Sequence, residues 1–349
     1  MAMKKLLLLA LLAPLLVAVK PLPPASEGEQ AIASNGDFNS ALQPSWGDGQ
    51  LPHTAKPDVV GAFRFICTAG QVAPDDPIVY PNQPGKSHLH QFYGNMAADA
   101  SSTYASLRAK GESSCNKGPF AANRSAYWMP AMLDSAGQVV KPQFVSIYYK
   151  RRPASDPKCS LSSGDPQAEG NCVPIPNGLK FIFGYDMLTG KRPTGSLWYN
   201  CQGPSATPGH YHDLNAALAN CPKVHGNLIG AIIEAPSCWD GKSLDSPNHR
   251  DHVAYADYGS WGYLKCDHAH PYVIPTFTLG AWYPVADGMK LSSDAMVPGA
   301  VPGTTFHADY FEAWDPQVKA MWTEHCINEM LSCSGGDLGN GKQLKGAAI

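Results

Sequence analysis

The sequence predicts a mainly β protein: a β-sandwich or jelly-roll-like core with long loops and a few short helices. Three observations lead there. Gly and Pro are both abundant, 33 and 31 residues, so turns are frequent and wide. Short runs rich in β-branched and aromatic residues recur between those turns. Only three stretches carry helix start and stop signals.

The chain opens with Lys4-Lys5 and an apolar run from Leu6 to Val19, closed by Lys20. A basic start and an apolar core of this length predict a secretory signal peptide over residues 1–20, too short to read as a membrane span. No later segment is apolar enough to predict a stable span. Residues 21–57 are rich in Pro, Ser, Gly and Asn without periodicity, and read as a linker or loosely docked arm. A single domain is expected over 58–333, and residues 334–349 are expected to form a flexible tail.

Within that domain the first strand is predicted over Gly61–Cys67. Others follow at Gln143–Tyr149, Leu179–Phe183, Leu197–Cys201, Leu228–Glu234 and Tyr272–Leu279. Each is short, β-branched or aromatic, and bounded by turn residues. Helices are predicted over Ser101–Lys110, closed by Gly111, over Leu214–Asn220, and over Asp315–Leu331. The last has the clearest start, with Asp315 as the cap and Pro316 at the first helical position.

Ten cysteines and no C-x-x-C argue against zinc ribbons and thioredoxin-like chemistry. An even number in an exported chain predicts up to five disulfides. Local closures are expected at Cys159–Cys172, Cys201–Cys221 and Cys326–Cys333. The net charge is −3 with no basic stripe, so nucleic acid is not an expected partner.

The functional signal is histidine. Eight of twelve histidines fall in pairs: His88/His90, His210/His212, His268/His270 and His249/His252. Random placement would give about 0.4 H-x-H pairs, against three here. On a strand, residues i and i+2 share a face about 6.6 Å apart, so two imidazoles can converge on one ion or anionic group. Imidazole also transfers protons near neutral pH.

Lys86, Gln91 and Tyr93 surround His88 and His90 with donors and acceptors, which favours a functional reading over histidines that merely cap loops. His249 and His252 are three apart, a spacing that brings side chains together in a turn, and Asp251 can orient a ring. Pro271 holds His270 extended behind Cys266, which favours His270 over His268. His307 and Asp309 form a metal or acid/base pairing, or else approach a helix with Asp309 as a local cap. His210 and His212 lie in a Gly/Pro loop and rank last. Trp128, Tyr255 and Trp314 are among many aromatics that could stack on sugar rings, or simply pack the core. There is no G-x-S-x-G, H-E-x-x-H, P-loop or G-x-G-x-x-G.

Several blocks together resemble the domain-of-unknown-function family numbered nineteen ninety-six. They are Ser87–Gly94, Ser125–Pro130, Tyr148–Lys150, Pro236–Gly241, Asn248–Tyr255 and His307–Phe311 with Trp314. The resemblance runs from about Gly61 to Trp314 and implies a secreted protein, in a family whose activity is not established. Cys266–Pro271 departs from the family's Cys-Pro-x-x-His-Pro pattern by lacking the first Pro, and its His-Pro step falls at His270.

The expectation is a secreted, monomeric carbohydrate-active enzyme, a hydrolase or lyase, working on a polysaccharide or cell-wall polymer. His88, His249, His307 and Tyr93 are expected to be catalytic. A divalent ion (zinc, calcium or copper) is expected on His90, His252, His270 and Asp309. Lys86, Gln91, Trp128, Tyr255 and Trp314 are expected to bind substrate. The alternative is a non-catalytic carbohydrate-binding or metal-binding surface protein.

Overall fold

The structure is a computed structural model. It describes residues 22–346 except 35, 117–119, 193–196 and 261. The expected signal peptide lies outside the described residues.

Eleven strands build two large sheets. They are β1 (Gly61–Cys67), β2 (Val72–Ala73), β3 (His90–Gly94), β4 (Ala126–Pro130), β5 (Phe144–Arg151), β6 (Lys180–Gly184), β7 (Leu197–Gln202), β8 (Leu228–Glu234), β9 (Thr276–Pro284), β10 (His307–Phe311) and β11 (Ser332–Cys333). The first sheet runs β7-β8-β9-β5-β1-β11, antiparallel except where β11 lies parallel to β1. The second runs β2-β3-β4-β10-β6 and is antiparallel throughout. Short helices α1 (Tyr104–Ala109), α2 (Leu214–Ala219) and α3 (Pro316–Met321) sit between strands.

Strand β5 shows why the sheets pack. Its burial alternates residue by residue, with Val145, Ile147 and Tyr149 turned inward, as period-2 geometry requires. Their partners come from the second sheet. Phe277 of β9 meets Tyr127, Tyr310 and Phe183 at centroid distances of 5.8, 4.8 and 5.7 Å. The tyrosines in this layer are buried together with hydroxyl partners: Tyr127 to Tyr149 at 2.8 Å and Tyr149 to Tyr310 at 3.2 Å. That pairing removes the cost of burying an unbonded hydroxyl. The expected sandwich is thus present.

The second sheet is buried on both faces. Its outer face carries Phe92, Trp128, Ile182 and Phe311, packed with Ile78 and with Tyr104 and Leu107 of α1. Three of its strands (β3, β4 and β10) are buried at every position. Residues 126–130 are apolar on both faces, so no alternation marks them as a strand, whereas 307–311 alternates only through His307 and Asp309, which are themselves buried.

Elsewhere the expected elements shift in ways with plain causes. Tyr272–Leu279 is split at Pro275, which has no N–H for a ladder. Tyr272–Val273 joins a small separate sheet, and β9 starts afterwards. Helix α3 begins as expected, with Asp315 accepting from Gln317 and Val318 N–H, then widens into a π-helix over Trp322–Asn328. All ten cysteines pair: Cys67–Cys115, Cys159–Cys172, Cys201–Cys221, Cys238–Cys266 and Cys326–Cys333. The three expected local closures are among them.

The two ends of the domain depart from expectation. The arm is docked rather than loose: Arg108, itself buried, donates to the carbonyl of Ile32 and to Ser34 Oγ. Residues 334–346 of the expected flexible tail are ordered, with Leu42–Pro44 of the arm paired antiparallel with Lys342–Leu344. Leu338 and Leu344 are buried there, apolar anchors that a sequence rich in Gly and Lys conceals. Among the described residues no helix is long and apolar enough to cross a membrane.

Candidate metal centre

Side-chain alternation decides which histidines meet. On β3, Tyr93 faces the sandwich core while His90 and Phe92 face the opposite way. On β10, Tyr310 faces the core, and His307, Asp309 and Phe311 face outward. His90 is registered against Pro130 and His307 against Gly184, neither of which sends a long side chain between them. His88, two residues before His90, joins from the same side. The ring centroids lie 4.2 Å apart for His88 and His90, 5.1 Å for His88 and His307, and 6.1 Å for His90 and His307. One nitrogen from each ring lies within 4.8 Å of the other two. That spacing is on the scale of a shared ion, whose nitrogen ligands stand at about 2.1 Å.

Hydrogen bonds fix which nitrogens are free. Nδ1–H of His90 donates to the carbonyl of Asp75 at 2.9 Å, and Nδ1–H of His307 to the carbonyl of Thr305 at 2.8 Å. This leaves the Nε2 lone pair of each ring for a ligand, the arrangement that orients metal-binding histidines. Nε2 of His88 and of His90 is buried with no hydrogen-bond partner. Buried polar atoms are rarely left so without a reason. Burial, and after it a neighbouring ring, pushes all three imidazoles down: His88 to about 2, His90 to about 3 and His307 to about 3. They are neutral at physiological pH and can donate to a cation.

Two carboxyls lie behind the histidines. Asp309 is buried and neither of its oxygens has a partner. Burial, then the charge of Asp76, pushes its pKa well above the usual carboxylate range, while Arg250 opposes the shift. Asp76 is buried as well and accepts from the N–H groups of Ile78 and Val79. Burial raises it too, though these hydrogen bonds resist. Arg250 donates to the carbonyls of Gly184 and Tyr185 at 3.2 and 3.1 Å. A cleft of about 150 Å³ opens over these groups, with Lys86 on its wall.

The other expected site residues fall elsewhere. His249 bonds to the Asp245 carboxylate at 2.8 Å and stands outside the histidine triad, although its neighbour Arg250 lines the cleft. His252 is engaged through both nitrogens, by Ser246 Oγ and by the carbonyl of Lys180. His270 is engaged likewise, by Asp267 and by the carbonyl of Asp251. Neither of these two rings has a nitrogen left for an ion, so the expected ligand set of His90, His252, His270 and Asp309 does not assemble. Tyr93 is hydrogen-bonded to Tyr283 in the sandwich core. Gln91 gives its amide to the carbonyls of Gly70, Gln71 and Phe92. Trp128 stacks on Phe92, and Trp314 donates to Tyr149, both fully buried. No sugar can stack on either. Tyr255 donates to the carbonyl of Glu234 and lines a second, larger cleft. His210 stacks on Trp198.

The sequence reading did not single out Arg250 or Asp76. Arg250 was in view, between two paired histidines in the Asn248–Tyr255 block. Nothing local marks Asp76.

A family model described as "Domain of unknown function (DUF1996)" matches residues 76–314. The match covers well over half of the chain, and the chain belongs to this family. It spans the three histidines of the centre together with Asp76, Arg250 and Asp309. No curated protein and no solved structure matches the chain.

Proposed function

We propose that this member of the family is a secreted, monomeric, metal-dependent enzyme that cleaves a polysaccharide or cell-wall polymer, as a hydrolase or lyase. One observation carries the reading. Three neutral imidazoles converge beneath an open cleft, and two of them present buried nitrogens with no partner. Three protein ligands with an open position are the pattern of a catalytic centre rather than a closed structural one. The all-nitrogen donor set suits zinc or copper and does not suit calcium, which takes oxygen ligands. Five disulfides fit an oxidising, extracellular setting.

The roles follow from position. His88, His90 and His307 hold the ion. The ion supplies a Lewis acid and lowers the pKa of water to about 7. Arg250, fixed by two carbonyls, meets negative charge that builds on the substrate. Asp309, with both oxygens free and facing the cleft, exchanges a proton with the reacting group. Lys86 orients the substrate from the cleft wall.

The test starts from chelator-treated protein titrated with zinc and with cobalt. One equivalent should bind, and His90→Ala or His307→Ala should weaken binding by at least about 100-fold, more than the loss of a supporting contact costs. A polysaccharide panel is then exposed to loaded, chelated and His307→Ala protein. Cleavage by the loaded form alone supports the proposal. Failure to bind a stoichiometric ion would overturn it.

A further inference from the structure

The cleft above the histidines is small. At about 150 Å³ it falls below the roughly 300–1,000 Å³ of sites that enclose a whole small-molecule ligand. A second cleft of about 1110 Å³ adjoins it. The two share three lining residues: Ile182, Asp186 and Arg250. They therefore adjoin at these three residues, beside β6. A ligand whose reacting unit enters the small part has a path for its remaining units in the large one.

Arg250 stands at the junction. Two of its nitrogens are held by the carbonyls of Gly184 and Tyr185, and these contacts spend hydrogen bonds without neutralising its charge. Among the described residues no carboxylate lies within ion-pair distance of it. Asp186 and Asp309 act on it only from farther off. A guanidinium held rigid, partly buried and without a direct counter-ion is organised to receive an oxyanion through its remaining donors. Lys86 lines the small cleft beside Asp76, Asp186 and Asp309. Exposed Lys191 and Arg192 line the large one together with Lys265 and the carboxylates of Asp186, Asp251, Asp257 and Asp267, so the selectivity for an anion falls on Arg250.

We infer that the ligand is an anionic polysaccharide several units long, with one carboxylate or sulfate held by Arg250 at the junction of the two clefts and the rest of the chain lying in the larger cleft. This rests on the metal-centre reading for where the reaction occurs, but not for the binding itself.

The test is calorimetry on the full chain in chelator, so that no ion contributes to affinity. The probes are a hexamer of galacturonic acid, its methyl ester, the monomer, the dimer and a sulfated neutral hexamer. The acid hexamer or the sulfated hexamer should bind at least tenfold tighter than the ester, and whichever binds identifies the oxyanion. The hexamer should also exceed its monomer at least tenfold. Arg250→Gln should abolish the difference between acid and ester, and Arg250→Lys should restore part of it. Lys191→Glu with Arg192→Glu should weaken the hexamer at least threefold and leave the dimer unchanged. If Arg250→Gln does not fold, the acid-to-ester and hexamer-to-monomer ratios of the unaltered protein still decide. Equal affinity for acid, sulfated form and ester, or for monomer and hexamer, overturns the inference. His307→Ala should keep the acid preference. In the unaltered protein, failure to bind an ion with the acid preference present sinks the metal reading alone, and ion binding without the preference sinks this one alone.

Discussion

At the scale of single residues, the centre is set by which nitrogens are already committed. His90 and His307 each give Nδ1–H to a backbone carbonyl and keep Nε2 free, whereas His252 and His270 give away both. His252→Ala should therefore lower stability and leave the metal endpoint at one equivalent, which a denaturant melt and a cobalt titration on one sample would check. Protonation gives a second prediction, for metal-free protein. His307 is pushed down to about 3 when folded, against 6.5 in the unfolded chain. The unfolded state thus takes up the proton first, and the stability due to neutral His307 is complete above pH 6.5 and lost as pH falls towards 3. Relative to His307→Gln, the unaltered protein should lose up to about 1.4 kcal/mol per pH unit below pH 6.5. Asp309 has the opposite sign. Its folded pKa is raised, so the stability due to its proton is present below the unfolded value near 3.9 and lost as pH rises. Asp309→Asn should gain on the unaltered protein between pH 4 and pH 7. Urea midpoints measured across that range test both slopes, and parallel curves would count against them.

At the scale of elements, one glycine shows how tightly the centre depends on its sheet. Gly184 ends β6 with φ +91°, and a Cβ there would sit 2.7 Å from His307 Cα and 2.8 Å from the Phe306 carbonyl oxygen. Both contacts are to backbone and cannot swing aside. Gly184→Ala should cost about 2–4 kcal/mol and move His307 away from His88 and His90. A lower melting temperature together with at least tenfold weaker metal binding is expected. A variant that binds metal normally would show that β6 does not position His307. The same sheet explains what local patterning missed. Strands β1, β5 and β8 were legible from their β-branched and aromatic runs between turn residues. Strand β4 carries apolar side chains on both faces and has no alternation to read, whereas the outward face of β10 carries His307 and Asp309, polar groups that are buried all the same.

Across the whole molecule, the arm and the tail close the domain. Leu42–Pro44 and Lys342–Leu344 form a two-stranded sheet, with Trp46 N–H donating to Gln343 Oε1 at 3.0 Å. Leu338 and Leu344 are buried beside it. Ending the chain at Gly336 removes both leucines, each worth about 1.5–3 kcal/mol of burial. A loss of about 3 kcal/mol or more is expected in equilibrium unfolding, and an unchanged midpoint would mean the tail contributes nothing. Compositional reading failed here for a physical reason. Few apolar residues are needed when a partner strand is supplied from 300 positions away, and that partner is invisible in the tail itself.

What the sequence determined alone was the chemistry and much of the framework. The histidine pairs, the even cysteine count, the local disulfides and the start of α3 all rest on interactions between near neighbours, and near neighbours are written side by side. The i, i+2 spacing was enough to bring His88, just ahead of β3, beside His90 at the start of that strand. The tertiary structure decided the rest. It joined His307 to that pair by threading β4 between β3 and β10, and it turned Tyr93, Trp128 and Trp314 into the core. It also gave both nitrogens of His252 and His270 to neighbours, and it placed Arg250 where two clefts meet. Each of these outcomes depends on which side of a sheet a residue faces and what packs there. That is a property of the assembled layers, since a shift of one residue in register would have turned His307 and Asp309 into the core and Tyr310 out of it.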